Sequence, residues 1–222
     1  MKCTSCNREI KPVVAIDIDG TLGDYHRHFL RFAGNYLGRA INWNYDGGMS
    51  FKNWFKRTTK CSDDDWHDIK LAYRQGGMKR SMPVYEGAAD LCKIVRNTGA
   101  ELWVTTTRPY IRHDNIDPDT REWLDRHNIE YDYLIYDGDK YDKLAELVGI
   151  ERVCAVVDDL PEEITRAAKL FGNVAPILRR NNFNTAVTWF NVSSDLLYVA
   201  HNVLDRIEGW KTAYAEETGD RV

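Results

Sequence analysis

The stretch Val13-Val14-Ala15-Ile16-Asp17-Ile18-Asp19-Gly20-Thr21 decides how the rest of the chain is read. A short, β-branched apolar run bounded by Pro12 and Gly20 predicts a buried strand. That strand runs into two acids, and side chains at i and i+2 lie on the same side of a strand. Asp17 and Asp19 are therefore expected to face one spot at its carboxyl end, where open α/β sheets bind ligands. Gly20 lets the chain leave sharply, with no Cβ in the way. An acidic turn after a strand is also ordinary, because Asp and Gly favour turns. The pair gains meaning only from what gathers around it.

Further strands are predicted at 101–105, 133–136 and 153–157, with a weaker one at 174–178. Helical patterns separate them. Gly87 to Asn97 carries Ala88, Leu91, Cys92 and Val95 on one face and is closed by Thr98-Gly99. Thr120 to His127 reads as a helix capped by Asp117 or Asp119, and Tyr141 to Val148 as another, ended by Gly149. Pro161 to Leu170 has proline in its first turn and Gly172 past its end. Ser194 to Glu208 shows an apolar stripe. Strands alternating with helices of this length imply a parallel sheet.

Residues 23–82 interrupt this alternation with helical pieces and many aromatics, and a connection that long needs a small core of its own. The expected organisation is an N-terminal segment 1–10, an α/β core from 11–22 and 83–222, and a helical insertion at 23–82 over the carboxyl edge of the sheet.

Thirty basic and 34 acidic residues leave a formal charge of −4, which speaks against a general nucleic-acid binder without excluding a local basic pocket. No apolar stretch approaches the length of a membrane span, and the polar first dozen residues hold no secretory signal. The expectation is a cytoplasmic protein with no membrane partner. The five cysteines are Cys3, Cys6, Cys61, Cys92 and Cys154, a poor disulfide framework. Cys3-Thr4-Ser5-Cys6 is half of a tetrahedral Zn2+ site. It reads either as a loose reduced terminus or as a knuckle completed by Cys61, a histidine or a second subunit.

Three more polar clusters lie just past strands: Thr105-Thr106-Thr107-Arg108-Pro109, Lys140 with Lys143, and Asp158-Asp159. Each alone has a bland reading as strand threonines, solvated lysines or a helix cap. Together, Asp-x-Asp-x-Thr followed by Thr, Lys and Asp-Asp closely resembles the motif set of the haloacid dehalogenase superfamily, over roughly residues 12–180. The resemblance implies a Rossmann-like parallel sheet with an inserted, mainly helical type 1 cap, and a Mg2+-dependent phosphatase. It implies Asp17 as nucleophile, forming an aspartyl-phosphate. Asp19 would be general acid and then base. Mg2+ would be held by Asp17 and Asp158 with the main-chain carbonyl of Asp19, and Asp159 would orient a ligand or a metal-bound water.

Thr106, chosen because Thr-x-Arg-Pro matches the second motif, would bind a phosphoryl oxygen. Thr21, Thr107 and Arg108 would line the substrate site. Lys140 or Lys143 would balance the negative charge, and the sequence does not separate them. The Arg179-Arg180 pair keeps an open role.

Two substrate readings follow. Asp24-Tyr25-His26-Arg27-His28-Phe29 and Met82-Pro83-Val84-Tyr85-Glu86-Gly87-Ala88, bracketing the insertion, resemble 5'(3')-deoxyribonucleotidases. On that likeness Trp54 or Phe55 would stack a base. From Thr106 onward, Thr120-Arg121-Glu122-Trp123-Leu124 and Ile129-Glu130-Tyr131-Asp132-Tyr133-Leu134 are similar to the 3'-phosphatase domain of phage polynucleotide kinases. The expected partner is therefore a small phosphate ester, first a nucleotide, with a nucleic-acid end as the alternative. A large insertion roofing the site favours the small molecule.

Overall fold

The structure, a computed structural model, describes residues 10–109, 113–172, 175–188 and 191–218. The first strand, β1 (Val13–Asp17), is buried along its whole length. A fully buried run is what a central parallel strand requires, since helices cover both its faces. Each valine or isoleucine so buried contributes about 1.5–3 kcal/mol relative to exposure.

The chain continues through α1 (Tyr25–Tyr36), α2 (Phe51–Thr59), α3 (Asp63–Gln75) and α4 (Ala88–Asn97), then β2 (Glu101–Thr106) and α5 (Ile116–Arg126). β3 (Tyr133–Tyr136), α6 (Lys140–Val148), β4 (Val153–Asp158) and α7 (Pro161–Phe171) follow. β5 (Pro176–Arg179), β6 (Asn191–Ser193) and α8 (Leu196–Thr218) complete the fold. The strands form one sheet of order β3-β2-β1-β4-β5-β6, every neighbouring pair parallel. The α/β parallel-sheet expectation therefore holds. Because β1 lies between β2 and β4, the residues after Asp17, Thr106 and Asp158 meet at one edge.

The segment 23–82 leaves the sheet and returns beside its point of departure. Gly23 bridges Val84, Asp24 N–H donates to Pro83 O at 2.8 Å, and Tyr85 N–H donates to Leu22 O at 2.8 Å. Between these points lie α1, α2 and α3. Ser50 caps α2, and Ser62 with Asp65 forms a reciprocal capping box on α3. The aromatics of the segment pack on one another around Phe29, which meets Phe51, Phe55, Trp66 and Tyr73 at centroid separations of 5.3–5.9 Å. Phe183, from the loop that follows β5, closes on His26 at 4.6 Å and stacks on Tyr45 at 5.3 Å.

Cys61, Cys92 and Cys154 are free and buried. Cys3 and Cys6, with the Zn2+ expectation attached to them, lie outside the described residues. Among the described residues, no helix is long and apolar enough to cross a membrane.

Candidate active site

At the carboxyl ends of β1 and β4, Asp17, Asp158 and Asp159 come together. One carboxylate oxygen from each lies within 4.8 Å of the others, and all three side chains are buried. Lys140, the first residue of α6, reaches into the group. Its Nζ is 2.5 Å from Asp17 Oδ1 and 2.7 Å from Asp158 Oδ2. Tyr141 OH donates to Asp158 Oδ2 at 2.6 Å, and the Leu160 N–H donates to Asp158 Oδ1 at 2.8 Å. Lys143, one turn along α6, points to solvent and pairs with Glu146 at 2.8 Å. The two lysines are thus separated by helix phase: the structure brings Lys140 to the acids and leaves Lys143 out.

Asp159 is fixed by its own set of partners. The Thr21 hydroxyl donates to its Oδ1 at 3.3 Å, and Asn181 Nδ2 donates to its Oδ2 at 3.2 Å. Thr21 is wholly buried, so the expectation that it lines the substrate site is corrected: its hydroxyl orients Asp159. Gly20 makes this approach possible. Its φ is +109°, and a Cβ there would sit 2.1 Å from Asp159 Oδ2. The loop after β5 is tied to the same place. Arg179 Nη1 and Asn181 Nδ2 donate to Gly20 O at 3.0 and 2.9 Å, and Asn184 Nδ2 donates to Asp159 O at 2.8 Å. Arg179 therefore braces the motif turn, and its guanidinium stacks on Tyr85 at 3.6 Å.

Asp19 does not share the spot that Asp17 faces. β1 ends at Asp17, so the alternation of a strand no longer governs Asp19, which lies in the turn. Its carboxylate accepts from Arg108 Nη2 at 2.6 Å, Arg108 Nε at 3.1 Å and Lys79 Nζ at 2.5 Å. Arg108 is buried, and its third donor, Nη1, goes to Thr120 Oγ1 at 2.8 Å. The carboxylates of Asp17, Asp158 and Asp159 make up the acid cluster, and the Asp19 side chain is not among them.

The electrostatics divide in the same way. Burial pushes the Asp17 carboxyl up, with Asp158 adding to the shift and Lys140 opposing it. Burial also raises Asp159, reinforced by Asp158 and Asp17. Burial would lower Lys140, but Asp158 and Asp17 hold it well above its ordinary value. Three carboxyls around one lysine form a site short of positive charge, built entirely of hard oxygen donors. A hard divalent cation such as Mg2+ fits that donor set. At Asp19 the balance is reversed. Burial would raise it, yet Arg108 and Lys79 hold it well below the usual carboxylate range. Burial brings Lys79 down to about 7, with Asp19 opposing that shift and Arg108 adding to it.

A cavity of about 150 Å3 opens beside these groups, lined by Asp19, Tyr25, Lys70, Arg74, Lys79 and Arg108 among others. Thr107 and Pro109 also border it. Thr106 is buried at the end of β2, and its Oγ1 accepts from the Arg108 N–H at 3.3 Å. Trp54 and Phe55 do not reach the cavity. Trp54 packs on Phe51 at 5.6 Å and Phe55 on Trp66 at 5.1 Å, both buried in the aromatic core of the inserted segment. The expectation of a base platform there is corrected: an insertion of three short helices needs its largest side chains for its own core.

Sequence reasoning passed over Tyr141, Asn181, Lys70, Arg74 and Lys79. The i, i+4 spacing of Lys70 and Arg74 on one face of α3 was the available signal; that this face looks at Asp19 was not.

No family model matches the sequence, and no curated protein matches it. Solved structures do resemble it. A predicted phosphatase from Clostridium acetobutylicum superposes with a TM-score of 0.61 at 13% identity, covering 89% of this chain and all of that one. A haloacid dehalogenase-like family hydrolase from Streptococcus pneumoniae gives 0.57 at 14% identity, covering 85% and 96%. A predicted phosphoglycolate phosphatase from Haemophilus somnus gives 0.57 at 12% identity, covering 85% and 96%. At such identities the likeness establishes the architecture: this chain has the α/β fold of phosphatases and hydrolases of the haloacid dehalogenase kind.

Proposed function

We propose that the protein is a Mg2+-dependent phosphomonoester hydrolase that works through an aspartyl-phosphate on Asp17. The observation that carries this reading is the buried group of Asp17, Asp158, Asp159 and Lys140 at the carboxyl edge of the sheet. Asp17 and Asp158, with Asp159 beside them, would hold Mg2+, whose charge would offset the repulsion between a dianionic ester and an anionic nucleophile. Lys140 adds a fixed positive charge against Asp17. The Thr106 hydroxyl accepts from the Arg108 N–H, which leaves its proton free for a phosphoryl oxygen.

In the first half, an Asp17 oxygen attacks phosphorus, the ester P–O bond breaks, and the leaving oxygen takes a proton from Asp19. In the second half, Asp19 takes a proton from water, the water oxygen attacks phosphorus, and the bond to Asp17 breaks to release phosphate. The clamp of Arg108 and Lys79 holds Asp19 in its ionised form, which suits the second half. Ester oxygens that draw those two cations away would let Asp19 carry the proton needed in the first. In this reading residues 23–82 are the cap and 11–22 with 83–222 the catalytic core. Free buried thiols support a reducing, cytoplasmic setting.

The sequence at the two ends of the cap favours a (deoxy)nucleoside monophosphate, and the stretch after Thr106 a nucleic-acid end. The cavity supports a smaller ester, because about 150 Å3 falls short of the roughly 300–1,000 Å3 of pockets that enclose larger ligands. Phosphate release from small esters, mononucleotides and a 3'-phosphorylated oligonucleotide, with Mg2+ and with chelator, tests the proposal. Mg2+-dependent release from small esters is expected. Release from none of the panel would overturn the phosphatase reading, and faster release from nucleotides would overturn the argument from size.

A further inference from the structure

The cavity wall contributed by the inserted segment carries more positive charge than the reaction requires. Four basic side chains, Lys70, Arg74, Lys79 and Arg108, face one carboxylate, Asp19, and burial with the neighbouring positive charges pulls both lysines below their ordinary value. Arg108 and Lys79 already hold Asp19, which accepts two hydrogen bonds from one and one from the other. Lys70 and Arg74 have no carboxylate partner among the described residues. Lys70 donates to the Tyr25 hydroxyl and lies over the Tyr25 and Phe29 rings at 4.8 and 5.1 Å. The Arg74 guanidinium makes no hydrogen bond to any described residue.

Like charges gathered in a half-buried pocket repel one another and gain little from water. They are relieved by loss of a proton from a lysine or by an anion that holds the charges in place. The transferred phosphoryl group is not that anion, because in the proposed mechanism it sits against Asp17 and Lys140, which are not among the residues lining this cavity. Lys70 and Arg74 stand one helical turn apart on α3, and Lys79 follows in the turn after it, so one short stretch of the insertion presents all three to the same space.

We infer that Lys70, Arg74 and Lys79 form a subsite for a second anionic group on the substrate, a carboxylate or a second phosphate on the leaving-group side of a small phosphate monoester. This rests on the phosphatase reading above and names the substrate class of that same site. Forked donation from Arg74 suits either group, and a compact anion is what a cavity of about 150 Å3 accommodates.

The test uses the full chain with Mg2+ and matched pairs of esters: phosphoglycolate against ethyl phosphate, and glucose 1,6-bisphosphate against glucose 6-phosphate. The first member of at least one pair is expected to exceed the second by about 10- to 100-fold in kcat/KM, the discrimination that goes with hydrogen bonds between charged groups. The pair that discriminates tells carboxylate from phosphate. Lys70→Gln with Arg74→Gln should collapse the ratio to within about 3-fold, whereas Arg74→Lys should retain most of it. As a binding readout free of turnover, phosphonoacetate is titrated into the Asp17→Asn protein, and the same double substitution should weaken it by a similar factor. Hydrolysis of both members of each pair at equal efficiency overturns the subsite and leaves the phosphatase reading standing. Hydrolysis of no ester overturns that reading and the subsite with it.

Discussion

Two regions of opposite sign meet at the turn that joins Asp17 to Asp19. At the strand ends, three buried carboxyls surround a single lysine. Beneath α3, four cations surround a single carboxylate. The first is built from the sheet, whose parallel order forces the residues after β1 and β4 together. The second is built mostly from the inserted segment, whose position no strand register dictates. The sheet edge is prepared for a cation and the inserted wall for an anion. A phosphate ester chelated to a divalent cation is the species that answers both. On the proposed reading, the chemistry belongs to the sheet and the choice of substrate to the insertion.

The sharpest way to break this division is at its negative pole. Asp17→Asn removes the proposed nucleophile and leaves the shape unchanged. Turnover should fall by at least about a thousandfold, the scale on which removal of a catalytic nucleophile is felt. Stability should hold or rise, because burial and the neighbouring Asp158 already disfavour the charge that is lost. Steady-state kinetics with thermal melts reads both. Turnover within tenfold of the parent would remove Asp17 from the mechanism.

Lys140→Met tests the same pole from its positive member. It strands Asp17 and Asp158 without their shared partner, and breaking such a buried pair costs about 3–5 kcal/mol. Urea unfolding at neutral pH should show that loss. Saturating Mg2+ should recover part of it, by preferential binding to the folded state. The corresponding change at the other region, Lys79→Met, leaves Asp19 with both hydrogen bonds from Arg108, and should cost only about 1–2 kcal/mol. Equal losses would mean that the two regions are not organised differently.

Much of the strand-end cluster was legible in the sequence, for a physical reason. A buried β-branched run that ends in acids announces where it is and which way it points, and parallel order then gathers Thr106, Lys140 and Asp158. What separates Lys140 from Lys143 is helix phase relative to the sheet, which appears only once α6 is docked. The cation wall was not legible, because nothing in the spacing of Lys70 and Arg74 tells that α3 lies beside Asp19. β6 escaped notice because three residues carry no periodicity. α5 starts at Ile116, ahead of its expected Asp caps, with Pro118 accommodated in its first turn. α8 passes straight through Gly209 to Thr218, a residue type that costs a helix about 1 kcal/mol without ending it.

His26 borders the same cavity, buried among Tyr25, Tyr45, Phe51 and Phe183 with an unpartnered Nδ1. Burial lowers it from 6.5 to about 3, with Asp19 opposing the shift and Lys70 and Lys79 adding to it. The native imidazole therefore stays neutral while the unfolded one takes up a proton. The stability linked to this difference is fully present above about pH 6.5 and drains as the pH falls toward 3, at no more than about 1.4 kcal/mol per unit. His26→Phe should flatten that part of the acid limb in urea titrations at pH 7, 5.5 and 4.5. An unchanged slope would mean that the histidine is charged in the folded protein.

The smallest expected effect is a near-absence of one, and it sharpens the comparison most cheaply. Lys143 lies three residues from Lys140 on the same helix, carries the same charge and fits the same motif spacing. It faces water and pairs with Glu146, an exposed i, i+3 contact of the kind worth a few tenths of a kcal/mol. Lys143→Ala should change stability by less than about 0.5 kcal/mol and leave kcat and KM where they were, at every Mg2+ concentration. Lys140→Met, by contrast, should alter both stability and its Mg2+ dependence. If Lys143→Ala were the damaging substitution, α6 would have to sit about 60° from its present rotation, since three residues of an α-helix fall that far short of a full turn. The carboxyl cluster would then lose its one cation, and the opposition of the two regions would go with it.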